Sequence, residues 1–184
     1  MKKWPILLAM MLLLGGCAIW KTAGGPYESS DLGVHVDLPY NWMRYNVDTG
    51  RMLIISRDGP LLQKIMIERV DIDNDLTHSK KKFSKNMLPE DVAQLYLDNQ
   101  SSNKDITNLE VMENAPCDIA GNSGFRALYS YRTKDELDIK CLVYGFLRGE
   151  NVYLISYTAP GRHYFDLDIN TFDTLFKSFR LVKG

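Results

Sequence analysis

Asp71, Asp73 and Asp75 occur at every second position, and so do Asp166, Asp168 and Asn170. Both triplets begin like an oxygen-donor loop that wraps a calcium ion. The pattern stops there. The sixth positions are Leu76 and Thr171, where such a loop turns on glycine, and the twelfth are Lys82 and Lys177, where it needs glutamate. Asp166 and Asp168 are expected to cap a helix start, and Asp71 to Asp75 to form a solvated strand exit. Of the three histidines, His35 alternates with Val34 and Val36 and is expected at a polar edge. His163 joins the first turn of a helix, and His78 stands alone. Three cysteines, Cys17, Cys117 and Cys141, are too few and too scattered for a zinc site or a disulfide scaffold. The chain lacks Gly-x-Ser-x-Gly, His-Glu-x-x-His, a phosphate-binding loop and a dinucleotide fingerprint. The expectation is no catalytic residue, no metal, no cofactor and no enzyme.

Two weaker candidates remain. Cys117 and Cys141 are expected on strands two apart, about 9.5 Å from each other, whereas a disulfide needs Cα atoms within roughly 7 Å. Two buried free thiols are expected. The bond is the alternative, and it requires Cys117 to leave the sheet, which Pro116 permits. Lys80, Lys81, Lys82 and Lys85 form a basic run. Such a run is ordinarily a solvated loop. Its functional alternative is contact with anionic head groups, each lysine adding about 1 kcal/mol. Tyr129, Tyr131, Tyr144, Tyr153 and Tyr157 are expected on sheet faces with hydroxyls at the rim, and would suit a binding surface if several shared an open face.

Lys2 and Lys3 precede a nine-residue apolar run, Ile6 to Leu14, followed by Gly15, Gly16 and Cys17. The run is shorter than the ~20 residues of a spanning helix and reads as a cleaved signal peptide. Leu14-Gly15-Gly16-Cys17 resembles the lipobox of bacterial lipoproteins. That resemblance implies cleavage before Cys17, a diacylglyceryl group on its sulfur and an acyl group on its new amine. Each buried methylene is worth about 0.8 kcal/mol, so several chains anchor firmly. Removing residues 1–16 with their two lysines takes the net charge from −1 to −3. The residue after the cysteine is Ala18 rather than Asp, which by the sorting rule of enteric-type lipoproteins implies the outer membrane, facing the periplasm. Residues 1–16 are thus the signal peptide, 17–30 a lipidated N-terminus and Gly-rich flexible tether, and 31–184 one domain.

The elements of that domain follow from periodicity. Val34, Val36 and Leu38 alternate in a strand closed by Pro39, and Trp42 plugs the end of a core. Strands over 51–57 and 61–70 form a hairpin about Asp58-Gly59-Pro60. In the second, Ile65 and Ile67 face one way and Lys64, Met66 and Glu68 the other. Residues 71–87 form a long polar connection of the functional or mobile kind. Pro89, Glu90 and Asp91 open a helix with Val92, Leu95, Tyr96 and Asn99 on one stripe. A four-stranded meander follows from Leu109 to Thr158, then a helix with Phe165, Ile169, Phe172, Leu175 and Phe176 at helical spacing, then a short strand from Phe179. Strands and helices are segregated, so the class is α+β, an antiparallel β-sheet flanked by helices. The charge balance gives no pull toward nucleic acid.

This order resembles the PsbP-like α/β/α sandwich family, which includes bacterial DcrB-like envelope lipoproteins. The residues that carry the resemblance are Val36-Asp37-Leu38-Pro39 with Trp42, Gln63 to Ile67, and Ile119-Ala120-Gly121 with Gly124. Tyr157 to Pro160, Tyr164-Phe165, Phe172 and Ser178-Phe179-Arg180 complete it. They span most of residues 31–182 and mark strand ends, turns and core aromatics. The resemblance implies a non-catalytic binding or accessory role and carries over no active-site residue. The expected function is a lipid-anchored envelope protein that binds another envelope protein. The alternative is a small-ligand carrier or sensor using a pocket between sheet and helix.

Overall fold

A computed structural model describes residues 19–46 and 50–182. Its larger sheet contains β1 (Trp20–Thr22), β4 (Met43–Tyr45), β5 (Met52–Ser56), β6 (Lys64–Asp71), β7 (Ile106–Ile119), β8 (Asn122–Thr133), β9 (Asp138–Arg148) and β10 (Asn151–Pro160). Their spatial order is β1-β4-β5-β6-β10-β9-β8-β7, antiparallel throughout. A second sheet joins β2 (Gly25–Ser29), β3 (Val34–Leu38) and β11 (Arg180–Leu181) in the order β11-β3-β2. The helices are α1 (Pro89–Ser101) and α2 (Tyr164–Ser178). This is the expected α+β architecture.

The period-2 alternation of the strands sends side chains to two separate cores. On one face Leu53, Ile55, Ile65, Ile67, Ile155 and Tyr157 pack against Phe165, Phe172 and Leu175 of α2 and against Val34, Val36 and Leu38 of the small sheet. On the other face Phe125, Ala127, Tyr129, Cys141 and Val143 lie under Val92, Leu95 and Tyr96 of α1. Trp42 is buried in the first core, as expected. Pro89 starts α1 where no amide donor is lost, and the Asp91 carboxylate accepts the Leu88 N–H at 3.1 Å.

Three expectations are corrected. Within residues 17–30, read as a flexible tether, Trp20–Thr22 and Gly25–Ser29 are strands: Trp20 pairs with Tyr45, and Gly25 to Ser29 with Leu38 to Val34. Gly24 serves close approach rather than flexibility, since a Cβ there would lie 2.6 Å from the Tyr40 ring. The connection 72–88 contains no helix or strand but is packed, with Ile72, Leu76 and Phe83 buried. Asn99 Oδ1 fastens it by accepting the His78 and Ser79 amides at 2.9 and 3.1 Å. Helix capping does not account for the second acidic triplet. No side chain caps α2, and Asp168, 3% exposed, faces the core.

Candidate functional site: an open sheet face

Helix α1 makes its main contacts with β7, β8 and β9. The same face of β1, β4, β5 and β6 therefore lies beside the helix rather than under it. Register shows which residues share that face. Trp20 pairs with Tyr45, Thr22 with Met43, Met43 with Ser56, Ile54 with Met66, and Met52 with Glu68. Met52 is 37% exposed, and Met43, Tyr45, Ile54 and Met66 are half-buried. The Trp20 and Tyr45 rings meet edge-on with centroids 5.3 Å apart. Three methionines amid aromatic and aliphatic side chains make a soft surface that adapts to different partners.

Three cavities border this face. One of about 300 Å³ is a recess lined by Trp20, Met43, Ser56, Arg57, Gly59 and Pro60. A second, about 260 Å³, lies between the 60–62 turn and the β8–β9 turn, with Lys64 and Tyr131 in its wall. The third, about 230 Å³, lies where β6 meets α1, between Met66, Glu68, Tyr96 and Leu154. A larger open cavity of about 540 Å³ sits elsewhere, between the β2–β3 sheet and α2, with Tyr40 at its rim.

Burial shifts several of the titratable groups beside the open face. Burial raises the Glu68 carboxyl above its ordinary value, with Lys64 opposing. The Tyr96 and Tyr129 hydroxyls share a hydrogen bond of 3.0 Å. Burial and, second, Cys141 push Tyr131 up to about 12. Burial likewise pushes the Cys141 thiol up, so Cys141 is a thiol rather than a nucleophilic thiolate near neutral pH. Thr158 Oγ1 donates to its sulfur at 3.4 Å.

The other sequence candidates are dispersed. Cys117 and Cys141 are free thiols. They stand on β7 and β9 with β8 between them, and on opposite faces: Cys117 borders the α2 core and Cys141 lies in the α1 core. Burial raises Cys117 as well. Lys81, Lys82 and Lys85 pair with Asp98, Asp75 and Glu150, and Lys80 donates to the Thr77 carbonyl at 2.7 Å. Three of the four ammonium groups are thus partly neutralised within the fold. His35 is 3.7 Å from Glu28 on the small sheet. Among the described residues no group of three or more His, Cys, Asp or Glu is placed to hold a metal. The tyrosines divide, Tyr129 and Tyr131 to the α1 face and Tyr144, Tyr153 and Tyr157 to the α2 face. Cys17 lies outside the described residues.

Sequence reasoning missed one buried polar cluster. Asp168 accepts from Arg57 Nη1 at 3.0 Å and from Gln63 Nε2, fastening α2 to the β5–β6 turn. Gln63 is fully buried, and its Oε1 has no partner among the described residues. The signal was present: Asp168 falls on the apolar stripe Phe165, Phe172, Leu175. Burial raises the Asp168 carboxyl, Arg57 opposes this, and Asp58 adds to it. Unfolded, Asp168 ionises near 3.8. Its contribution to stability is therefore complete below that value and is lost as pH rises through the higher folded-state value. Wild type is expected to gain thermal stability relative to D168N as pH falls from about 7 to about 4. Parallel melting curves for the two proteins would contradict the raised carboxyl.

The fold defines the class: a PsbP/Mog1-like α+β domain. No protein-family model matches the chain, and no curated protein matches it in sequence. Among solved structures it is similar to cyanobacterial PsbP (CyanoP) from Synechocystis sp. PCC 6803, with a TM-score of 0.59 at 18% identity, covering 92% of this chain and 99% of that one. It is also similar to the Ran-binding protein Mog1p of Saccharomyces cerevisiae, with a TM-score of 0.59 at 8% identity over 89% and 97% of the two chains. A Pseudomonas aeruginosa protein of unknown function matches with a TM-score of 0.53 at 12% identity over 88% and 98%. At these identities the likeness is one of fold.

Proposed function

We propose that the chain is a lipid-anchored cell-envelope protein whose domain is a non-catalytic binding or accessory module for another envelope protein. The observation that carries this reading is the open, methionine-rich face of β1, β4, β5 and β6, which neither helix among the described residues caps. Acyl groups on Cys17 supply location, and Ala18 after the cysteine favours the outer membrane with the domain in the periplasm. PsbP-like and Mog1-like neighbours, the latter Ran-binding, are consistent with recognition rather than chemistry.

The second reading, a small-ligand carrier, is favoured by the cavity between sheet and α1. At about 230 Å³ it falls below the roughly 300–1,000 Å³ of ordinary ligand sites; the cavity of about 540 Å³ between the small sheet and α2 falls within that range but is an open cleft, so the protein-binding reading stands first. Crosslinking in cells followed by detergent extraction tests the choice. Wild type is expected to bring down a discrete protein partner, and Met52→Asp to lose it while remaining folded, because Met52 is already 37% exposed. Retention of the partner by Met52→Asp would contradict the assignment of the face. A co-purifying small molecule with no protein would favour the carrier.

A further inference from the structure

We propose that the β1 edge of the large sheet, together with the Arg57–Leu62 turn, rests on the bilayer surface and sets the domain's orientation. This rests on lipidation of Cys17. Ile19 is two positions after Cys17, and two residues span at most about 7 Å. By Trp20 the chain is already in the sheet, paired with Tyr45. Acyl chains on Cys17 therefore bring one particular corner of the domain to the lipid surface.

That corner has the composition an interface favours. Ile19 is 59% exposed. Trp20 and Tyr45, ring against ring, are the residue types enriched where apolar tail meets polar head group. Trp20 also reaches across to line the recess that ends at Pro60, and Leu61, next in the chain, is 91% exposed. A leucine is out of place at a solvated turn tip. Single exposed apolar residues are unremarkable, but this one follows Pro60, which lines one recess with the Trp20 ring. Lys21 is exposed beside Trp20. Asp58, the acid in the turn, is held by Arg57 Nε at 3.2 Å, so the tip presents no unpaired carboxylate. Seated this way, the sheet stands on its β1 edge. The open face then points sideways along the membrane, toward other envelope proteins.

The full lipidated protein, reconstituted in phosphatidylethanolamine and phosphatidylglycerol vesicles containing a diazirine phospholipid, is irradiated and its peptides are mapped by mass spectrometry. Lipid adducts are expected on residues 19–21 and 57–62, and not on Val111 and Met112 of β7, which are also exposed. Leu61→Asp and Leu61→Asn are each expected to lose the 57–62 adducts and keep those at 19–21. If Cys17 is acylated and 57–62 carries no adduct, or no more than β7, the seat is overturned while lipidation stands. If Cys17 is not acylated, both fall. Crosslinking of Leu61 to a protein in place of lipid overturns the seat as well.

Discussion

Gly124→Val is expected to destabilise the fold severely. Gly124, on β8, pairs with Cys117 and Phe146 on its neighbours. A Cβ there would lie 2.5 Å from the Gly145 carbonyl oxygen, 2.8 Å from Ile119 Cδ1 and 2.9 Å from Phe146 Cβ. The first obstacle is backbone inside the sheet, which no rotamer change relieves. Overpacking a core ordinarily costs about 1–3 kcal/mol. Here the cost is expected at or above the top of that range, against a total stability of roughly 5–15 kcal/mol for a domain of this kind. Gly149 is the control. A Cβ there meets nothing within 4 Å, and only the positive φ of 61° resists substitution. Gly149→Ala is expected to cost about 1–2 kcal/mol. Denaturant melts of the two variants check the contrast, and equal destabilisation would contradict the packing described for β8 and β9.

The largest functional effect is expected from Cys17→Ser. The lipoprotein reading requires the sulfur to take the diacylglyceryl group before the signal peptide is cut. The serine variant is therefore expected to lose all incorporation of labelled palmitate and to keep residues 1–16. Membrane association alone is a poor readout, because the uncut run from Ile6 to Leu14 is itself apolar. The decisive quantities are the label and the mass of the N-terminal peptide. An unchanged mass and unchanged processing in Cys17→Ser would remove the anchor, and with it the envelope location.

How much of this was legible in sequence depended on how local each signal was. Helix α1 was readable from Pro89 and Asp91 at its start and from its Val92, Leu95, Tyr96 stripe. Strand β8 was readable from its alternation, and β9 and β10 from the turn residues that bound them. Strands β1, β2 and β4 were not: two have three residues each, and β2 begins Gly-Pro, which reads as loop. They are strands because Trp20 finds Tyr45 and Tyr27 finds Val36 across the sheets, partners no local window contains. The open face was half visible, since Lys64, Met66 and Glu68 were correctly set apart from Ile65 and Ile67. That α1 leaves that side uncovered depends on β6 lying beside β10, some eighty residues away in sequence. The apparent tether misled for a physical reason: glycine permits flexibility, but at Gly24 it permits the Tyr40 ring to pass.

The most direct measurement is site-specific photocrosslinking in living cells, with a photoreactive residue at Met66 on the open face and at Val111 on β7 in the otherwise unaltered full-length protein. A single discrete protein adduct from Met66 and none from Val111 is the expected result. Adducts of equal pattern from both positions, or none from Met66, would contradict a binding module that works through the open face.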